Sequence, residues 1–314
     1  MDQAASVFAQ RGSALYVSFK PSLSTRPLEL PRMKPEMVFV IAQTFVAADK
    51  QASAPVCYNL RVVECALAAE VLAKKLRVGS LPNDAGPLNV SLRGLQDTYF
   101  ERKKRIPSND GVSTEQFARQ LKELIELVKA HLDRPDGYTK EDISELLGIS
   151  TQELADRYMS KFTVRADRFK LQQRALHVYS EALRVLDFMK LLQSSPDDSN
   201  ADELPKELGR LMNETQDSCR TKYECSCQEL DELCSLARQA GSYGSRLTGA
   251  GWGGCSVHLV PEKDVEAVRK NWIEHYYKPR FPDITAERLA EAIVISKPGS
   301  GTVVFEGLAA DLTL

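Results

Sequence analysis

The sequence carries almost no excess charge: 41 Lys and Arg stand against 43 Asp and Glu, a formal net charge of −2. That balance supplies no polybasic field for nucleic acid or for an anionic lipid surface, so neither is expected as a partner. Long apolar runs are missing too. Met37 to Ala42 falls far short of the ~20 residues of a membrane span, and Met1-Asp2-Gln3-Ala4 has an acid where a secretory leader needs basic residues. A chain away from the membrane, in the cytoplasm, is the expectation. The cysteines do not form a disulfide scaffold, since seven is an odd number spread thinly over 314 residues, which suits reduced thiols. Cys225-Ser-Cys227 with Cys234 is too tightly spaced for structural zinc and has no histidine nearby, so no metal ligand is assigned. A P-loop Gly-Lys-Ser/Thr occurs nowhere.

What is present describes a folding chain. The composition, 43% hydrophobic and 27% charged, is globular, and the length allows one large or two modest domains. Residues 13–19 read as a strand and 36–45 as a second, fully buried one. Helical spacing runs from Asn59 to Leu76, from Glu115 to Leu132, and from Thr139 to Leu147 with Thr139 and Gly148 as caps; Thr151 is expected to cap another helix. A long helix is expected over Val164 to Leu192, which makes His177 a packed helix residue rather than a general base. Arg102 to Gly111 reads as a charged, solvated connector and Ser194 to Asn200 as a surface loop. Helices over 204–220 and 228–240 precede strands near 243–248 and 255–260, a helix over 265–277 and a strand at 292–296. Strands recurring around a helical middle predict an α+β fold.

Gly249-Ala-Gly251-Trp-Gly253-Gly254 satisfies G-x-G-x-x-G, yet the dinucleotide fingerprint needs a helix after the glycines to hold a pyrophosphate. The following Cys255-Ser-Val-His-Leu-Val-Pro261 is β-rich, so the loop joins strand to strand. Four glycines in six residues ask for positive φ or for close approach of a ligand or another backbone. The loop is functional or a structural hairpin, with Trp252 covering a site or plugging the core.

Ser245-Arg-Leu-Thr-Gly-Ala-Gly-Trp-Gly-Gly-Cys255 resembles the C-terminal glycine motif of galactokinases, which share a superfamily with homoserine, mevalonate and phosphomevalonate kinases. Met1-Asp2-Gln3-Ala4-Ala5-Ser6 is similar to the segment that carries their catalytic aspartate. Tyr58 to Glu64, Arg174 to Glu181, and Leu211 to Gln216 with Tyr223 to Asp231 resemble the fungal type. The resemblance implies a two-domain galactokinase fold, with residues 1–45 a remnant of the N-terminal domain and 46–314 the C-terminal domain.

The implied chemistry is transfer of the ATP γ-phosphoryl group, with Mg2+, to the anomeric hydroxyl of galactose. Asp2 matches the catalytic base, and Tyr58 a tyrosine that touches the sugar; a buried helix-start aromatic is its alternative role. Lys50 stands where its ammonium can reach phosphate oxygens or is a plain surface lysine. Gly249, Gly251, Gly253 and Gly254 would bring backbone against the base segment and the transferring group. The family's serine- and glycine-rich phosphate loop and its sugar-gripping Glu-His-x-Asp have no counterpart. The chain is therefore expected to be the C-terminal part of a longer protein, inactive alone, with the strands at 13–19 and 36–45 short of partners. A second implied role is a galactose sensor that binds the same ligands and engages a transcriptional repressor.

Overall fold

The structure, a computed structural model, describes residues 2–47, 50–106, 111–194 and 202–302. Helix α1 (Asp2–Phe8) leads into a hairpin of β1 (Ser13–Ser18) and β2 (Ser24–Glu29), followed by β3 (Met37–Gln43) and a single turn, α2 (Lys50–Ser53). The helical middle comprises α3 (Tyr58–Lys75), α4 (Leu92–Lys104), α5 (Thr114–His131), α6 (Lys140–Leu147), α7 (Thr151–Tyr158), α8 (Leu171–Gln193) and α9 (Glu203–Ser218). A π-helical turn, Cys219–Tyr223, extends α9. Then come α10 (Gln228–Gln239), β4 (Gly244–Leu247), β5 (Cys255–Pro261), α11 (Val265–Trp272), α12 (Lys278–Arg280), α13 (Ala286–Ala292) and β6 (Ile293–Ser296).

An antiparallel sheet in the order β4-β5-β3-β6 organises the second half of the molecule. In β3, Val38, Val40 and Ala42 are buried with Leu233, Val268 and Trp272 on one face. Met37 and Phe39 pack on the opposite side against the helical core built on α3 and α8. Both faces are covered, which is why Met-Val-Phe-Val-Ile-Ala-Gln reads as continuous apolar sequence. The expectation that this strand is short of some partners is corrected: it hydrogen-bonds to β5 along its whole length and to β6 over Phe39 to Ala42. β1 pairs with β2.

Thr139 and Gly148 cap α6 as expected, Thr139 and Asp142 forming a reciprocal capping box and Gly148 turning left-handed. Three expectations need correction. The long helix starts at Leu171, not Val164, because the buried Phe169 exchanges backbone hydrogen bonds of 2.8 and 2.9 Å with Tyr138 and is thereby extended. Ser150, not Thr151, caps α7, accepting from the Glu153 amide. Arg102 to Lys104 close α4, and Arg102 is no free loop cation, since its Nη1 donates to the carbonyls of Val78 and Ser80. Residues 107–110 and 195–200 of the two expected loops lie outside the described residues.

Two packed imidazoles, one fully buried and one half-buried, set a pH dependence. His258 is fully enclosed; its ring nitrogens meet Ser245 Oγ at 2.9 Å and Ser256 Oγ at 2.8 Å. Burial pushes its pKa down to about 3. His177 stacks on Tyr223, and burial, opposed by Glu181 and aided by Arg184, Arg246 and Lys222, lowers it to about 4. Both are neutral in the fold, whereas the unfolded chain protonates them near the ordinary value of about 6.5. Stability is therefore complete above about pH 6.5 and falls below it, down to about pH 4 for His177 and about pH 3 for His258, by at most about 1.4 kcal/mol per pH unit for each ring. Urea unfolding at pH 7 and pH 5 is expected to show this loss. In a His177→Gln/His258→Gln variant the same pH step is expected to be smaller.

Candidate functional site

The glycine loop is the connection between β4 and β5, as the β-rich sequence after it required. Its glycines serve different ends. Gly251 has φ +88°, and a Cβ there would lie 2.0 Å from the Cys225 carbonyl oxygen; at Gly253, φ +136°, it would lie 2.5 Å from that of Val46. Both close approaches are to the protein's own backbone. Gly249 and Gly254 also take positive φ but face open space, on the exposed side of the loop.

Two clamps hold this loop. On one side Trp252 N–H donates to the Cys225 carbonyl at 2.7 Å. On the other, Thr44 donates to the Gly254 carbonyl from both its amide and its hydroxyl at 2.8 Å, and the Gly254 amide donates to Val46 at 3.1 Å. Thr44 is itself pinned by Tyr276, whose hydroxyl donates to the Thr44 carbonyl. The segment 44–46 that grips the loop runs on toward Lys50, at the start of α2.

Tyr58 opens α3, and its ring lies 4.5 Å from that of Trp252, so the structure brings Tyr58 and the glycine loop together. Trp252 is half-buried: one side rests on Tyr58, the other packs against Cys219, Cys225, Leu230 and Leu247, with the Arg61 guanidinium 5.8 Å from the ring centre. It thus covers Tyr58 and plugs a small core at once. Burial, then the neighbouring Cys57 and Cys225 thiols, raises the Tyr58 phenol above its ordinary pKa, so it is a hydrogen-bond donor at neutral pH. The side chains of Asp2 and Lys50 lie outside the described residues. The backbone of α1 is tied to the segment 301–302, where Gly301 donates to Ala9 and Thr302 to Ser6.

The charged residues of the remaining motifs form the support beneath the loop. Glu64 and Arg174 are each 1% exposed. The Glu64 carboxylate accepts from Arg174 Nε at 2.6 Å and Nη2 at 3.2 Å, from Arg61 Nη1 at 3.1 Å and from the Lys170 amide at 2.8 Å. The two arginines then reach the turn after the π-helix: Arg174 donates to Lys222 O, and Arg61 to Tyr223 O and Glu224 O. Arg174 also pairs with the Glu224 carboxylate at 2.9 Å. The next residue is Cys225, whose carbonyl seats Trp252. In α9, Asn213 and Gln216 accept from the Ser245 and Leu247 amides at 3.0 and 2.7 Å, satisfying the outer side of edge strand β4. These supporting roles escaped sequence reading, because the partners are backbone atoms brought in from distant segments.

Substitution in the loop tests the two kinds of glycine. Gly251→Ala is expected to cost about 1–3 kcal/mol, through strain and collision with Cys225, and to shift Trp252 emission. Gly249→Ala, with positive φ but open space, is expected to cost about 1 kcal/mol and leave the emission unchanged. Chemical denaturation followed by fluorescence compares the two. Equal costs would refute the close-approach argument.

Residues 200–278 match the family model described as GHMP kinases C terminal. Along nearly its whole length the chain is similar to galactokinases. It is 42% identical over 313 residues to galactokinase of Saccharomyces cerevisiae, covering 98% of this chain and 59% of that protein. Against galactokinase of Schizosaccharomyces pombe it is 38% identical over 309 residues, with the same shares covered. The chain thus spans about three fifths of the length of the curated relatives it matches. Among solved structures, Lactococcus lactis galactokinase complexed with galactose superposes with a TM-score of 0.52 at 22% identity, over 95% of this chain and 54% of that one. That likeness bears out the α+β galactokinase-type fold.

Proposed function

We propose that this chain is part of a galactokinase, transferring the ATP γ-phosphoryl group to the anomeric hydroxyl of galactose. The observation that carries the reading is the 42% identity to a galactokinase over 98% of the chain. In this reading Asp2 takes the sugar hydroxyl proton and Tyr58 donates to the sugar while its ring lies against it. Lys50 reaches phosphate oxygens, and the exposed Gly249 side of the loop faces the transferring group. Most of the catalytic power in such chemistry comes from positioning and charge neutralisation rather than from covalent steps.

Mg2+ would arrive with the nucleotide and neutralise charge on its phosphates. Among the described residues no group of three or more His, Cys, Asp and Glu is arranged to hold a metal ion, so no step is assigned to one. The division into a 1–45 remnant and a 46–314 C-terminal domain is likewise a proposal; the pairing of β3 with β5 and β6 favours a boundary before Met37. Among the described residues no helix is long and apolar enough to cross a membrane.

The test is ADP release with galactose and Mg-ATP, measured on the 314 residues and on a form extended to the full length of the relatives. The extended form is expected to turn over. The 314 residues alone are expected to give no turnover, because their sequence contains no loop that cradles phosphates. An extended form that binds galactose and ATP without releasing ADP would overturn the kinase reading in favour of a sensor.

A further inference from the structure

Away from the glycine loop, the β1–β2 hairpin, α8, α9 and the sheet enclose a cavity of about 370 Å³. Its wall is largely apolar, with Val17, Phe188, Leu211 and Val257 among the lining residues, and Val185, 43% exposed, stands at its mouth. One end is charged. There Glu181 accepts from Arg184 Nη2 at 2.8 Å, from Thr215 Oγ1 at 2.8 Å and from Arg246 Nη1 at 3.2 Å. Two guanidiniums thus share one carboxylate, leaving one positive charge in excess beside an apolar chamber. Arg184 uses Nε and Nη2 in these bonds and Arg246 uses Nε and Nη1; among the described residues no hydrogen bond engages Arg184 Nη1 or Arg246 Nη2.

A half-buried guanidinium in excess is costly to leave uncompensated, and its planar fork matches a carboxylate. An apolar chamber of this size takes an aliphatic chain. We propose that this cavity binds a medium-chain fatty carboxylate, its head group between Arg184 and Arg246 and its chain in the cavity. A neutral alcohol lacks the charge, and an alkylammonium carries the wrong sign. The site is separate from the glycine loop, so the proposal does not rest on the kinase reading.

The test is calorimetric titration of the 314-residue protein with sodium hexanoate, octanoate and decanoate below their micelle concentrations. Saturable one-to-one binding is expected, tightening roughly fourfold for each added methylene. Arg246→Gln is expected to weaken decanoate about tenfold. Val185→Trp, at an exposed position that tolerates a larger side chain, is expected to close the mouth and abolish binding. Decanol is expected to bind more weakly than decanoate, with no response to Arg246→Gln; circular dichroism verifies that both variants are folded. No saturable heat overturns the proposal, as do equal affinities for decanol and decanoate or decanoate binding untouched by both substitutions. Concentration-dependent dimers in sedimentation, lost in Val185→Trp without any decanoate binding, would assign the face to a second copy of the chain and overturn it as well.

Discussion

In the full-length protein, Asp2→Ala is expected to lower galactose phosphorylation by about 10²–10⁴-fold while galactose binding stays close to its original strength. The anomeric hydroxyl must lose its proton as it attacks phosphorus, and alanine has no basic atom to receive it. Phosphoryl transfer needs that proton accepted at one atom only, so the loss falls on turnover rather than on the Michaelis constant. Asp2→Asn, which keeps the shape and removes the basicity, is expected to match the alanine variant. The two kcat values, measured by ADP release beside a galactose titration, decide the matter. An unchanged kcat in either variant removes Asp2 from the role of base.

The second large effect concerns stability. Arg174→Met is expected to destabilise the fold by about 3–5 kcal/mol, since it strands the Glu64 carboxylate at 1% exposure with half its donors gone. Glu64→Gln is expected to cost a comparable amount by leaving two guanidiniums short of their counter-charge. The double variant Glu64→Gln/Arg174→Met is expected to recover part of the loss, because it leaves fewer lone buried charges. Urea midpoints for the three variants, with Trp252 emission as a local readout, test both parts. If the double variant loses the sum of the single losses, the two side chains act independently and the ion-pair account fails.

That pair also marks the limit of what the sequence reveals. Tyr58 to Glu64 and Arg174 to Glu181 stood out as family-like segments, but nothing in their spacing said that Glu64 and Arg174 face one another across α3 and α8. The glycine loop was legible as strand-to-strand because the signals on both sides of it are local: a strand pattern near 243–248 before it and alternation in 255–261 after it. What seats the loop was not legible. Thr44 is one threonine after a buried strand, and the Cys225 carbonyl is a backbone atom that no side-chain pattern announces. Strand β2 was missed for a related reason: it carries Pro27 and is mostly exposed, so it lacks the apolar alternation that identifies a strand. The boundary error at Val164 likewise came from a tertiary event, the pairing of Phe169 with Tyr138, overriding a helical pattern.

The placement of β3 carries a consequence for how the molecule comes to exist. Its neighbours in the sheet are residues 255–261 and 293–296, so its hydrogen bonds join parts of the chain separated by more than 200 residues. During synthesis, residues 37–43 leave the ribosome long before either neighbour has been translated. Until then the most apolar strand of the sheet has nothing of its own to pair with, and closing so large a loop carries an entropic cost before any contact rewards it. The helices from α3 to α9 have nearer partners in sequence and are expected to collapse first, with the sheet assembling last, once residues 255–261 and 293–296 have been made. Pausing before residue 255 is expected to prolong the interval in which β3 can pair with another chain.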